Sequence, residues 1–285
     1  MALYIEIGNS QIKVLDVLKK KTESSIVSYK IIDKEFNSET LNEIADEIKS
    51  INVKNKGSKI IANNNNVYYR DLKVPALDEK QTLGIIQNEL VIGQTSTSEM
   101  ICDYLALTNA DSDGMRRVFG CALPEEIIKS YITLFNGISC KNPAAIEFSF
   151  VNLFDYLRAT KALDNEATLV VEISKNQARI FLFDENTYIL VRNMRMNTEV
   201  EDILKFSIKE EVNKMSQFQA SRRKEAGIKQ IYFFGDYENL EAIVADCRAS
   251  FGTNVELIPE VSGITYPKDF NYLEYIYTLG SIIGD

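Results

Sequence analysis

The sequence predicts an α/β protein built as two related lobes, and two observations carry this. The first is a device used twice. Residues 3–15 read as an apolar strand, a small polar turn (Gly8, Asn9, Ser10) and a second apolar strand, with Glu6 near the end of the first. Residues 168–182 read the same way, with Glu172 in the same place and Ser174 opening the turn. The second observation is the order that follows each hairpin: a third strand, a helix, a strand and a helix. Such alternation gives mixed sheets flanked by helices. The 285 residues suit roughly two domains of about 100–200 residues each, expected at 1–165 and 166–285.

In the first lobe, residues 24–32 alternate Ile26, Tyr29 and Ile31 as a third strand. Ser38 is a suitable N-cap for a helix with Leu41, Ile44, Ile48 and Ile51 on one face. Residues 59–62 form a short buried strand, residues 63–66 (four asparagines) a turn, and residues 67–74 a strand ending at Pro75. Asp78 caps a helix through about Val91, with Leu83, Ile86 and Leu90 apolar. Two strands, 100–107 and 116–122, flank a polar turn at 109–114, and Pro124 opens another helix through Phe135. Helix, two strands and helix make an α+β subdomain inserted at about 76–137. Residues 138–140 and a long helix at 143–159 return the chain to the first lobe.

In the second lobe, residues 188–195 are the third strand. A helix over 198–218 shows Ile203, Leu204, Ile208, Val212 and Met215 as its apolar face. Residues 230–234 are a buried strand ending at Gly235-Asp236, followed by a helix at 240–251 and a strand at 255–258. A last helix, 272–283, closes the lobe. The stretch at about 198–229 holds only one good helix and predicts a small subdomain there.

Composition removes whole classes of function. Hydrophobic residues make up 45% of the chain, enough for a core in each lobe. The net charge of −9 argues against nucleic acid, whose affinity rests on Lys and Arg. The basic runs 19–21 and 222–224 read as solvated charges. No histidine is present, which excludes His triads, His metal ligands and His general bases. Cys102, Cys121, Cys140 and Cys247 are widely spaced, so neither a zinc site nor a disulfide framework is expected. They fit a reducing cytoplasm. There is no signal-like N-terminus and no apolar run of membrane-spanning length.

The ordered motifs resemble the PilM proteins of type IV pilus assembly, which stand with FtsA in the actin-like ATPase superfamily. The resemblance runs along nearly the whole chain. Residues 5–14 are similar to the family's acid-Ile-Gly turn and Lys-Val strand. Arg70-Asp71-Leu72-Lys73-Val74-Pro75, then Glu79 and Glu89, resemble its Arg strand, Pro and Glu-bearing helix. Cys102-Asp103-Tyr104, the strand ending at Gly235, and Tyr277-Thr278-Leu279-Gly280 match further points in order. The resemblance implies a duplicated actin-like (ribonuclease H-like) fold with an inserted α+β subdomain in the first lobe.

It also implies where a nucleotide would bind. Turn amides at Gly8, Asn9 and Ser10 would meet phosphate oxygens, Lys13 would reach them, and an acid in each lobe would hold Mg²⁺. Lys13 reads equally well as an ordinary outward strand lysine. Catalysis on such a site is positioning and charge neutralisation. Several positions depart from the active pattern. Glu6 and Glu172 stand in place of Asp, and the extra methylene moves each carboxylate into metal space. Ser174 replaces a glycine and crowds its amides. Gly235 keeps one glycine of a pair, with Asp236 adding negative charge, and 196–198 lack a second pair. The expectation is a degenerate cleft: no cofactor or only weak ATP with Mg²⁺, no metal site of its own, and no catalytic residues.

The resemblance therefore implies a cytoplasmic scaffold rather than an enzyme. Its partner would be the short cytoplasmic tail of a bitopic inner-membrane pilus protein (PilN-like). The protein would reach the inner face of the membrane only through that partner, with self-association possible. The tail would lie in the groove beside the inserted subdomain, at Arg70, Pro75, Leu83 and Glu89. Arg70 reads equally as half of an internal ion pair. The alternatives are an active actin-like ATPase or sugar-kinase-like phosphotransferase, or the cytoplasmic part of a type II secretion L-protein. A kinase would need an Asp base, and Asp103 and Asp155 are available, though neither sits in a phosphate-type turn.

Overall fold

The computed structural model describes residues 2–20, 23–51, 57–91, 99–138, 143–163, 166–175, 177–196, 199–223 and 227–284. Cys140, Asn176, Asn197 and Thr198, all used in the sequence reading, lie outside them. The chain forms two compact units. One comprises Met1–Tyr156, Ser262–Phe270 and Tyr277–Asp285, the other Leu157–Val261 and Asn271–Ile276.

The first unit opens with the hairpin β1 (Ala2–Ile7) and β2 (Ile12–Lys19), continued antiparallel by β3 (Ser24–Ile32). After helix α1 (Leu41–Lys49), β4 (Ser58–Ala62) returns parallel to β1, and β8 (Ala145–Phe148) adds parallel to β4. The second unit repeats this plan with β9 (Thr168–Ser174), β10 (Gln177–Asp184) and β11 (Thr187–Arg195). Parallel strands β12 (Gln230–Phe234) and β13 (Asn254–Leu257) complete its sheet. The first sheet contains the run β3-β2-β1-β4-β8 and the second has the order β11-β10-β9-β12-β13, the same path walked twice. The duplication read from the two hairpins is thus a property of the whole sheets.

The reason is patterning. Leu3, Ile5 and Ile7 alternate into the core with Ile12 and Val14, as Leu169, Val171 and Ile173 do with Ala178, Ile180 and Leu182. Each fully buried Ile or Leu contributes about 1.5–3 kcal/mol of transfer free energy.

The inserted subdomain is a three-stranded sheet, β5 (Tyr68–Pro75), β7 (Met115–Pro124) and β6 (Met100–Ala106), in the order β5-β7-β6. Helix α2 (Glu79–Val91) packs on it through Ile86 and Leu90. Gly120 makes room, because a Cβ there would lie 2.8 Å from Ile86. Two expectations change here. The insertion begins before residue 76, because β5 pairs along its length with β7. Helix α3 (Glu125–Gly137) is not part of it, because Tyr131, Leu134 and Phe135 pack into the first unit's main core.

Other boundaries shift too. Asp78 caps α2 as expected, its Oδ1 accepting from the Gln81 amide at 2.8 Å. Ser38 is not the N-cap of α1. Thr40 holds that place, and Asn37 accepts the amides of Glu39 and Thr40. Ile138 caps α3, the chain returns through β8, and helix α4 (Ser149–Ala159) starts six residues later than residue 143.

In the second unit α5 (Glu201–Arg222) is, among the described residues, the one helix between β11 and β12. It buries Leu204, Ile208, Val212 and Met215 beside α6 (Leu240–Ser250), but leaves Ile203 half exposed, one residue off the 4-4-3 stripe. Its end is anchored by buried Asp184, which accepts from Gln219 at 3.0 Å and pairs with Arg222 and Arg223. Arg222 and Arg223 of that basic run are therefore engaged within the fold, and Lys224 lies outside the described residues.

The end of the chain was expected to close the second lobe. Instead, β14 (Ile264–Thr265) adds parallel to β3, and helix α7 (Ile276–Ile283) runs from residue 277 in the first unit. Gly280 explains the seating of α7: a Cβ there would lie 1.9 Å from the Asn152 carbonyl oxygen of α4. Among the described residues no helix is long and apolar enough to cross a membrane.

Candidate functional site

The first hairpin turn is tight. The Gly8 amide donates to the Gln11 carbonyl at 2.9 Å, and a Cβ at Gly8 would come within 2.9 Å of that oxygen. Asn9 Oδ1 is occupied by the Asn65 amide at 2.8 Å, from the asparagine run. Ser10 is exposed at the tip. Glu6 is 2% exposed. Asn63 Nδ2 donates to its Oε1 at 2.8 Å, and Thr278 Oγ1 donates to its Oε2 at 2.9 Å. Lys13, also buried, stands directly opposite Glu6 in the strand register, on the same sheet face. It is therefore not an outward lysine. Behind this turn, Asn64 donates to the Ile7 carbonyl and to the Tyr131 hydroxyl. Burial pushes the Tyr131 phenol up to about 12, against the opposing pull of that Asn64 hydrogen bond.

The second hairpin brings Glu172, Ser174 and Gly235 together. Glu172 is 4% exposed and lies opposite Arg179 in the register. The guanidinium grips it through both Nε and Nη2, the latter 3.0 Å from Oε1. Ser174 Oγ adds a donor to the same Oε1 at 3.3 Å. Gly235 has φ +128°, and a Cβ there would lie 2.1 Å from the Ile173 carbonyl oxygen, so glycine is required by both conformation and space. Asp236 precedes α6 by four residues, with Asn239 as the N-cap, so it lies outside the first turn of that helix.

The two acids are thus placed as the duplicated pattern predicts, and both are engaged inside their own unit. Among the described residues no group of three or more Cys, Asp or Glu side chains is placed to hold a metal ion. The sequence reading missed Arg179, although it lies seven residues from Glu172 across a tight turn, where a cross-strand pair could have been read. It also missed Asn63 and Thr278, whose link to Glu6 spans 57 and 272 residues and leaves no local signal.

The four residues assigned to a partner groove lie on β5 and α2. Arg70 is exposed, donates to the Glu89 main-chain oxygen at 2.7 Å and pairs with its carboxylate at 3.5 Å. Pro75 ends β5, exposed, and Leu83 is half-buried on α2. Strand β5 is an edge of the inserted sheet. Asp103 and Asp155, the two carboxylates considered for base chemistry, line a single cavity within the first unit.

No protein-family model matches the sequence, and no curated relative does. The structure, by contrast, matches solved ones along its full length. A chain of a PilM–PilN type IV pilus biogenesis complex aligns with TM-score 0.76 at 16% identity, covering 98% of this chain and 96% of that one. A protein of Bacteroides thetaiotaomicron with an actin-like ATPase fold and unknown function aligns with TM-score 0.57 at 12% identity, covering 100% and 95%. The cytoplasmic domain of EpsL, an inner-membrane component of the type II secretion system of Vibrio cholerae, aligns with TM-score 0.52 at 7% identity, covering 99% and 94%. The repeated sheet order, the inserted subdomain and these full-length alignments together give this chain the actin-like ATPase fold in the form seen in the PilM–PilN complex.

Proposed function

We propose that this protein is a PilM-like actin-fold scaffold of type IV pilus assembly that has given up ATP turnover. In this reading it works in the cytoplasm, at the inner face of the membrane, holding a short tail of a PilN-like membrane protein. One observation carries the loss of turnover: both acids at the nucleotide-facing turns of the fold already spend their oxygens on the protein itself. A carboxylate gripped by a guanidinium, as Glu172 is, has its charge and lone pairs committed. Coordinating Mg²⁺ would require breaking that pair. The full-length likeness to the PilM–PilN chain supports the pilus assignment, and the likeness to EpsL supports a secretion system as the second reading.

The tail is assigned to the edge of β5 beside α2, where main-chain hydrogen bonds can add a strand and Leu83 offers apolar contact. Two measurements test the proposal. Calorimetry with ATP and Mg²⁺ should show weak or no binding, whereas micromolar affinity abolished by Gly8→Val would restore the ATPase reading. A pull-down with the cytoplasmic tail of a PilN-like membrane protein should succeed and should fail for Leu83→Glu. Retention by a folded Leu83→Glu protein would move the partner site elsewhere.

A further inference from the structure

Helix α5 carries apolar side chains on the side away from its core. Among the described residues eight large hydrophobic side chains stand exposed, and four of them belong to this segment: Val200 at the N-cap, Ile203, Phe206 and Phe218. Phe206 is 66% exposed and Ile203 51%. The line of Leu204, Ile208, Val212 and Met215 is committed to the second unit's core. At 3.6 residues per turn, Phe206 and Ile203 fall opposite that line, and Phe218 borders the same outer face. Apolar side chains scattered singly over a surface need no explanation, but several gathered on one helix face mark an interaction surface.

The face is complementary to itself. Val212 lies midway between Phe206 and Phe218, and also midway between Glu210 and Lys214. A second α5 turned antiparallel about the level of Val212 therefore sets each Phe206 level with the other copy's Phe218, and each Glu210 level with the other copy's Lys214. Ile203 sits on the centre line of the face that these pairs share. Each end of the pairing is an apolar cluster, with Ile203 and Phe206 from one copy and Phe218 from the other. The middle is a square of charges. Lys214 and Glu210 are 55% and 51% exposed and pair along the helix at 2.7 Å, and Lys214 also reaches Glu211 at 3.4 Å. Across the two helices each lysine gains the other copy's Glu210. A parallel arrangement would set Glu210 against Glu210 and Lys214 against Lys214, which repel. We infer that this face joins two copies of the chain through an antiparallel α5–α5 pair, an isologous contact in which each copy offers the same surface.

The size of the face sets the strength of the pair. A helix of 22 residues is about 33 Å long and about 10 Å wide, so its footprint is about 330 Å². That falls short of the roughly 800 Å² per partner of a standard interface. The dimer is therefore a weak one, with a dissociation constant of about 10–100 μM. None of its residues belongs to the hairpin turns or to β5, so it goes beyond the pilus reading and does not depend on it.

The test is sedimentation equilibrium of the intact chain from about 1 to about 500 μM, a range that brackets the expected constant. The expected result is a monomer–dimer equilibrium. Phe206→Asp, at an exposed position with circular dichroism as the control for folding, should weaken it about tenfold or more. Glu210→Lys and Lys214→Glu each place like charges across the pair and should each weaken self-association about tenfold. Mixing these two charge variants should restore dimers, because every apposed pair is then of opposite sign. The double variant Glu210→Lys with Lys214→Glu should dimerise by itself for the same reason. A chain that stays monomeric at about 500 μM would overturn the inference. So would a dimer that survives Phe206→Asp, charge variants that fail to complement each other, or species that keep growing beyond two copies.

Discussion

The two hairpins are the same device at the level of strands and differ in how their acids are held. Glu172 is satisfied locally, by Arg179 across its own turn and Ser174 two residues on. Glu6 is satisfied from a distance, by Asn63 after β4 and Thr278 near the end of the chain. Both hairpins place a basic residue opposite the acid, Lys13 facing Glu6 and Arg179 facing Glu172. A buried carboxylate near the end of a hairpin strand can therefore be satisfied in two ways. One closes the hairpin upon itself, and the other turns the acid into a clasp between remote segments.

The largest effect should come from the local pair. Arg179→Leu leaves Glu172 buried without its guanidinium and should cost about 3–5 kcal/mol in urea denaturation, with Glu172→Leu comparable. The double Leu variant should recover most of the loss, because similar apolar volume replaces the pair. If the double variant is as unstable as the singles added together, the pair is not the unit described.

The distant clasp should be weaker per contact. Thr278→Val and Asn63→Leu should each cost about 1–3 kcal/mol, since each leaves one Glu6 oxygen short of a donor. A double-mutant cycle with Glu6→Gln should show coupling for both positions. Additive losses at either position would contradict the clasp.

Alkaline pH separates the units more finely. The Tyr131 phenol in the first unit and the Tyr272 phenol in the second are each pushed up to about 12, both mainly by burial. A raised folded-state value means the folded form holds the proton more tightly. The associated stability is complete below about pH 10, the ordinary tyrosine value, and is lost as pH rises towards 12. Tyr131→Phe should flatten that alkaline loss in the first unit and Tyr272→Phe in the second, followed by tyrosinate absorbance and circular dichroism. An unchanged alkaline profile in both variants would show that these phenols do not govern it.

The smallest effect concerns thiols, compared in a Cys140→Ser background. Burial raises all three remaining thiols, with Cys247 reaching about 12 and Cys121 well above its usual value. Half-buried Cys102 should react first with a thiol reagent, and Cys121 and Cys247 only on unfolding. Early labelling of Cys247 would mean that the α6 core opens more readily than its packing implies.

What the sequence made legible follows from the range of the interactions. The hairpins and parallel strands were readable because period-two patterning is local, and it placed Glu6 and Glu172 correctly. The Arg70 alternative was readable because Glu89 lies one helix away. The insertion boundary was misread because Pro75 ends a strand without saying which sheet that strand joins. Helix α3 was misassigned because an apolar face looks alike whichever core receives it. The allegiance of α7 was invisible, since it rests on Thr278 meeting Glu6 and on the missing side chain of Gly280, contacts with no trace in nearby sequence.

The Glu6–Thr278 clasp has a consequence for biosynthesis. The second unit is threaded into the first unit's chain, so the first unit's buried acid meets its last donor only after all of the second has been translated. At about 5–20 residues per second, the opening hairpin waits many seconds for that partner. The second unit, whose own acid is neutralised seven residues away, can settle while the ribosome is still working. The first half of the gene would then be the last part of the protein to mature, and a nascent chain stalled before residue 278 would expose Glu6 for chaperones to shelter.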